Sequence, residues 1–203
     1  MKDIDYDALV AGADALTALE IDARGKGYLN SYPIYLEYFQ STDVTTKGDF
    51  SIRAGLVYSW MPRVLVLCED HIDKAVQAMS KCTDDRHTDK VIGKVAKAVN
   101  GSYIGASKLL HFQYPDTFPI YDTRVYKNIN GLPKDKKNVY QQANKAKCYK
   151  AYRSSVLSMI QSVGFNKEVH DKVNQFMEPY GYRVSATRAV EFVVFSSYKT
   201  KVA

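Results

Sequence analysis

The sequence predicts an all-α fold, a single helical domain over residues 1–203 with about eight or nine helices. Three observations predict it. Nearly every segment with a legible apolar period repeats at i, i+3 and i+4, which is the spacing of one helical face. Glycine, proline and Asn-Gly punctuation falls between those segments, and no internal repeat or long linker divides the chain. With 46% hydrophobic and 25% charged residues, a chain of 203 residues has both the composition and the length to bury a real core.

Residues 3–22 form an amphipathic opening stretch with Ile4, Leu9, Leu16 and Leu19 as its apolar positions, and ARGKGYLNSYP reads as a glycine-containing exit. Residues 34–40 fit either a short helix or a strand, and the polar STDVTTKGD loop closes an N-terminal part at residue 48. Asp49 is placed to cap a helix over SIRAGLVYSWM, whose Ile52, Leu56, Val57 and Trp60 share a face, and Pro62 ends it. RVLVLCEDHIDKAVQAM gives the next helix through Ile72, Val76 and Met79, although residues 64–67 alone also fit a strand. Thr88 caps DKVIGKVAKAVN, which is apolar at Val91, Ile92, Val95 and Val99.

A turn at Asn100-Gly101 leads to the short helix SKLLHF, so a hairpin lies near residues 95–112; YPDTFP then breaks the chain. Asp122 or Thr123 caps TRVYKNI, which stops at Asn130-Gly131. Residues 138–161 form the longest helix and residues 167–177 a shorter one. The last, 186–198, carries VEFVVF, so apolar on most sides that it belongs at the centre of the core.

Composition also excludes function classes. Cys68, Cys82 and Cys148 form no CxxC pair, and His71, His87, His111 and His170 show no ligand spacing, so neither a metal nor a cofactor is expected. No apolar run is long enough to span a membrane, and the acidic N-terminus lacks a basic and apolar leader, so the expected location is intracellular, cytoplasmic or nucleoid-associated. Charge is uneven: residues 1–100 carry 12 basic and 15 acidic side chains, and residues 101–203 carry 16 and 7. That basic half favours a polyanion, and the bland alternative is a solvated lysine-rich face.

Asp122 is the residue that needs explaining. As a helix cap it is sufficient in itself, because a carboxylate accepts the free N–H groups of the first turn and is favoured by the helix dipole. Its surroundings add a second possibility. The hairpin turn, with Gly101 and Gly105, can offer backbone N–H groups to a phosphate, and Lys108 lies just inside the following helix, so an amine and a carboxylate from consecutive helix starts can share one cleft.

This order of a glycine-bearing turn, Ser107-Lys108, an apolar helix, a proline-containing extended entry and Asp122 before Thr123-Arg124-Val125 resembles the helix-hairpin-helix DNA glycosylases. The match covers residues 88–130. Pro119, Asp122 and Val125 fall at the family's Pro-x-x-Asp-x-x-Val places, and Ser107 occupies the position of the nucleophilic lysine of bifunctional members, with Lys108 one place further on. The resemblance implies base excision from double-stranded DNA with the target nucleotide extruded, Asp122 acting beside Lys108 or Ser107. Arg124, Lys127, Lys134, Lys136 and Lys137 would then contact phosphates, and Tyr121, His111 and Trp60 are the base-pocket candidates. The alternatives are a non-catalytic DNA-binding module in which Asp122 is only a cap, and a helical protein-interaction domain.

Overall fold

Helices make up the ordered framework of the computed structural model, which describes residues 1–61, 63–82 and 87–200, the side chains of 198–200 apart. In chain order they are α1 (Tyr6–Asp14), α2 (Ala23–Gln40), α3 (Lys47–Trp60), α4 (Glu69–Met79), α5 (Thr88–Ala98) and α6 (Tyr103–Gln113). They continue as α7 (Thr123–Asn130), α8 (Tyr140–Ala143), α9 (Ala146–Ile160), α10 (Asp171–Met177) and α11 (Ala186–Thr200). Among the described residues there is no strand, only one isolated antiparallel bridge between Leu67 and Val99. The all-helical expectation therefore holds.

Helix ends follow side-chain chemistry. Asp5, Asp22, Ser102 and Asp122 each accept a first-turn N–H, which offsets the missing intrahelical bonds there. For α3 the cap is Thr46 and not Asp49. Asp49 is the third helical residue, and its carboxylate reaches back to the Thr46 N–H at 2.9 Å while Thr46 Oγ1 accepts the Asp49 N–H at 3.1 Å. Likewise α5 starts at Thr88, with His87 in the cap position. Pro62, expected to end α3, lies outside the described residues.

Two expectations change more substantially. ARGKGYLNSYP is not an exit loop but the first part of α2, 18 residues long with Pro33 inside it. Its glycines and proline are poor helix formers, yet Leu29, Tyr32 and Phe39 are buried along one face, and that packing outweighs propensity. The helix expected over 138–161 is instead broken into α8 and α9 at Asn144. Asn144 leaves the helix to serve the hairpin: its Oδ1 accepts the Tyr103 N–H at 2.7 Å, and its Nδ2 donates to the Gly101 carbonyl at 3.1 Å.

Buried apolar side chains from Ile4 to Val194 form one cluster, with contributions from both sides of residue 48. The α11 helix packs against α1, α7, α9 and α10, and its Ala189, Val190 and Val193 are essentially inaccessible. On the other side α6 packs against α2, α3 and α5, and α5 against α4. The α5–α6 connection is the hairpin, turned by Asn100 and Gly101 at φ +53° and +60°, left-handed values that glycine adopts without strain and asparagine at small cost. Gly105 is needed for a different reason, since a Cβ there would lie 2.4 Å from the Tyr58 hydroxyl. Replacing Asn144 by alanine leaves the Tyr103 N–H at the start of α6 without its acceptor and should destabilise the protein by roughly 1–2 kcal/mol, read as a lower urea midpoint at unchanged m-value.

Candidate functional site

The site is built around a short extended segment, residues 117–121, between α6 and α7. Phe118, Ile120 and Tyr121 are buried, so their peptide groups have to find partners inside the protein. Side chains supply them. Arg153 Nε donates to the Thr117 carbonyl at 2.9 Å, His111 to that of Phe118 at 2.8 Å, Tyr149 to that of Pro119 at 3.4 Å and Tyr152 to that of Ile120 at 3.0 Å. Ser107 closes the series, accepting the Tyr121 N–H at 3.1 Å. Lys108 follows Ser107 and Asp122 follows Tyr121, so this last bond sets where the amine and the acid meet.

They meet at 4.0 Å, Lys108 Nζ to Asp122 Oδ2, with the two side chains 12% and 18% exposed. The carboxylate is divided in its use: Oδ1 accepts the Arg124 and Val125 N–H groups at 2.8 and 3.0 Å, and Oδ2 faces the amine. Burial pushes the Lys108 pKa below its ordinary value; Asp122 opposes that shift, while Arg188, Arg63 and Arg124 add to it. The outcome is an amine that gives up its proton more readily than a surface lysine, beside an anionic oxygen. Lys108 also lies over the indole of Trp60, 5.9 Å from the ring centroid.

The other expected residues separate into two groups. Ser107 is completely buried, with its hydroxyl engaged by the Ile104 carbonyl and by Tyr121. Its place is structural. Tyr121 is equally buried, packed against the rings of Tyr149 and Tyr152, so it forms no pocket wall. His111 is enclosed as well: Nδ1–H must donate to the Phe118 carbonyl, which leaves Nε2 to accept the Tyr32 hydroxyl at 2.8 Å. Enclosure pushes the His111 pKa down to about 3, chiefly through burial and further through Arg188, and keeps the ring neutral. Trp60 alone of the three base-pocket candidates borders open space, a cleft of ≈ 500 Å³ whose walls include Tyr28, Tyr35 and Trp60 but neither Lys108 nor Asp122.

The hairpin does not offer its N–H groups to a phosphate. Those of Asn100, Ser102, Tyr103 and Gly105 are bonded to Val66, Val99, Asn144 and Ser102 respectively, and the Asn144 carboxamide occupies the anion position at the start of α6. Gly101 remains exposed at the turn. Cations instead follow Asp122: the exposed Arg124 stacks over Phe195, and the half-buried Lys127 donates through Nζ to the Lys134 carbonyl at 2.7 Å, which joins α7 to the loop bearing the exposed Lys134, Lys136 and Lys137.

Sequence reasoning missed Arg188 and Glu191, an ion pair buried in α11 at 8% and 3% side-chain exposure. The signal was available: two opposite charges at i, i+3 beside an otherwise apolar VEFVVF run. Arg188 stacks over Tyr32 at 4.9 Å, and its charge acts on both Lys108 and His111. Among the described residues no group of three or more His, Cys, Asp or Glu side chains could hold a metal ion, and no helix is long and apolar enough to cross a membrane. Comparisons with protein-family models, curated proteins and solved structures find no match to this chain.

Two outcomes test this framework. Removing the Ser107 hydroxyl with Ser107→Ala leaves the Tyr121 N–H buried and unpaired, so chemical denaturation should register a loss of roughly 1–3 kcal/mol. His111 takes up its proton near 6.5 when unfolded and near 3 when folded, so its contribution is intact above about pH 6.5 and is lost as pH falls toward about 3. Urea midpoints measured across that window should decline, and the decline should be shallower in His111→Leu, whatever its overall stability.

Proposed function

We propose that this chain is a helix-hairpin-helix glycosylase-like enzyme that breaks the N-glycosidic bond of a modified or damaged base in DNA. The observation that carries the proposal is the Lys108–Asp122 pair, 4.0 Å apart and mostly buried, with one carboxylate oxygen free of the helix. As the bond between C1′ and the base breaks, its electron pair leaves with the base and positive charge develops on the sugar. A fixed carboxylate in a sheltered site stabilises that charge more strongly than water does. The unbonded Oδ2 is the atom for this task.

Lys108 supplies the second function. Burial lowers its pKa, which increases the neutral fraction able to form a bond to C1′ as the base departs. The amine's proton passes to Asp122, and ring opening then gives a Schiff base from which the strand is cleaved. If water attacks C1′ instead, Asp122 takes the water's proton and base removal alone results. Arg124, Lys134, Lys136 and Lys137, exposed on and after α7, with the half-buried Lys127 beside them, are the groups that would neutralise phosphates flanking the extruded nucleotide.

One observation favours a second reading, a DNA-binding module without catalysis. Asp122 already has a full structural task, with Oδ1 accepting two N–H bonds at the start of α7. Under that reading the acid is kept as a cap and the amine as its ion-pair partner.

The two readings differ in what Asp122→Asn does, since asparagine preserves the cap. For the enzyme, the variant should lose base release by at least about a hundredfold, with DNA affinity unchanged or raised; equal loss of affinity and release would favour the cap. Borohydride reduction on abasic DNA should trap a covalent adduct that is absent in Lys108→Ala. That adduct should persist in Asp122→Asn, because losing the acid lowers the Lys108 pKa further. No adduct in the unaltered protein would leave only the hydrolytic route. Affinity should fall steeply between low and moderate salt, and salt-independent binding would remove the lysines from the phosphate track.

A further inference from the structure

A cleft opens between α2 and α3, and neither Lys108 nor Asp122 lines it. Its walls are aromatic. Tyr28 and Trp60 meet edge to face, 5.2 Å between centroids at 82°, and Tyr35 stands further along α2. The indole is held in place by a T-shaped contact with Phe112 and by its N–H donating to Ser31 Oγ at 3.1 Å. The smaller polar groups are engaged with one another: Ser31 Oγ also donates to the Gly27 carbonyl, and Ser59 Oγ faces Tyr35 Oη at 3.4 Å. What remains available is ring surface.

Charge narrows the ligand class. Arg24 lies at the rim, its guanidinium 5.6 Å from the Tyr28 centroid, and Lys108 lies 5.9 Å from the Trp60 centroid. The nearest acid acting on Arg24 is Asp22, whose carboxylate caps α2 through the Gly25 N–H. No acidic residue lines the cleft. Arg24 Nη2 also donates to the Tyr28 hydroxyl at 3.1 Å, so a cation already stands beside each of the two rings, which disfavours a cationic ring and suits a neutral one attached to an anionic backbone.

We infer that this cleft is a stacking site for an uncharged, unpaired nucleobase of a DNA strand, with Trp60 and Tyr28 as its walls and Arg24 directed at the adjoining phosphate. A volume of ≈ 500 Å³ is in the range of small-ligand sites. Because its walls offer stacking and few free hydrogen-bonding groups, the cleft accepts different neutral bases. The choice of DNA rests on the function proposed above. Trp60 joins the two places, facing the cleft and lying under the Lys108 amine.

Trp60 is the only tryptophan in the chain, so its fluorescence reports on the cleft directly. Titrating the Asp122→Asn protein with a single-stranded DNA octamer should quench it saturably, and an octamer with abasic sites in place of its bases should not. Gly27 lines the cleft and a Cβ there meets nothing within 4 Å, so Gly27→Leu fills the space while leaving the packing intact. Both Gly27→Leu and Tyr28→Ala should weaken the quenching titration at least about fivefold. Equal quenching by the abasic strand, an unchanged titration in Gly27→Leu, or quenching by peptides and not by DNA would overturn the inference. Quenching without base release from the unaltered protein would sink the enzyme reading alone, and base release undiminished by Gly27→Leu would sink the cleft alone.

Discussion

Buried peptide groups outside regular structure need hydrogen-bond partners, and side chains supply them to all five carbonyls of residues 117–121 and to the Tyr121 N–H, while the Thr117 and Phe118 N–H groups donate to the Tyr114 carbonyl. The partners come from single faces of two helices. Ser107 and His111 are four apart on α6, and Tyr149, Tyr152 and Arg153 fall at i, i+3 and i+4 on α9. Burial raises the pKa of Tyr149 and Tyr152, so both hydroxyls remain protonated donors at any ordinary pH. The segment is thus a splint between the helices, and Asp122, at its end, inherits a position fixed from both sides.

The hairpin is governed by the same requirement with a different outcome. Its N–H groups at Asn100, Ser102, Tyr103 and Gly105 are also satisfied internally, that of Tyr103 by Asn144, and the Asn144 contact costs the chain a continuous helix between residues 140 and 160. A glycine-bearing turn before a helix is a place where backbone N–H groups can hold a phosphate. Here the carboxamide holds the α6 terminus, and the exposed cations lie on the far side of Asp122, along α7 and the loop that Lys127 joins to it. Any DNA contact in this protein would consequently depend more on flexible lysines than on a rigid backbone cradle, which makes its affinity electrostatic and salt-sensitive.

Legibility in the sequence tracked how local the cause was. The cap at Asp122 and the stop at Gly131, with φ +66°, depend on residues within one turn and were readable. So was the central position of α11, because its apolar run has one explanation. The α2 helix was not readable, since its glycines and Pro33 argue against helix and the compensating burial of Tyr32 and Phe39 depends on distant partners. The break at Asn144 has no local signal either, its cause lying 41 residues away at Tyr103. At the site, the proximity of Lys108 to Asp122 was expected from the order of elements. The internal tasks of Ser107, His111 and Tyr121 were not, because hydroxyl, imidazole and phenol groups have the same appearance in a sequence whether they face a ligand or a buried carbonyl.

Capping and catalysis are often treated as rival explanations of a helix-terminal acid, but the two oxygens of Asp122 separate them. Oδ1 is fixed by two backbone donors, which removes rotational freedom from the whole carboxylate and aims Oδ2 at Lys108. A freely rotating acid would lose part of its effect in reorienting as charge developed on a sugar; a capped one does not. Lys108 then sets the balance. With its proton it neutralises Oδ2 and the pair is an inert, partly buried ion pair, whereas without it the carboxylate is unopposed and the amine is nucleophilic. Burial and three neighbouring arginines push the amine toward the second state, and Asp122 itself pushes it back. The same opposition of desolvation and attraction operates in any partly buried ion pair, so what distinguishes this one is its geometry: one oxygen held by the helix and the other turned to the amine.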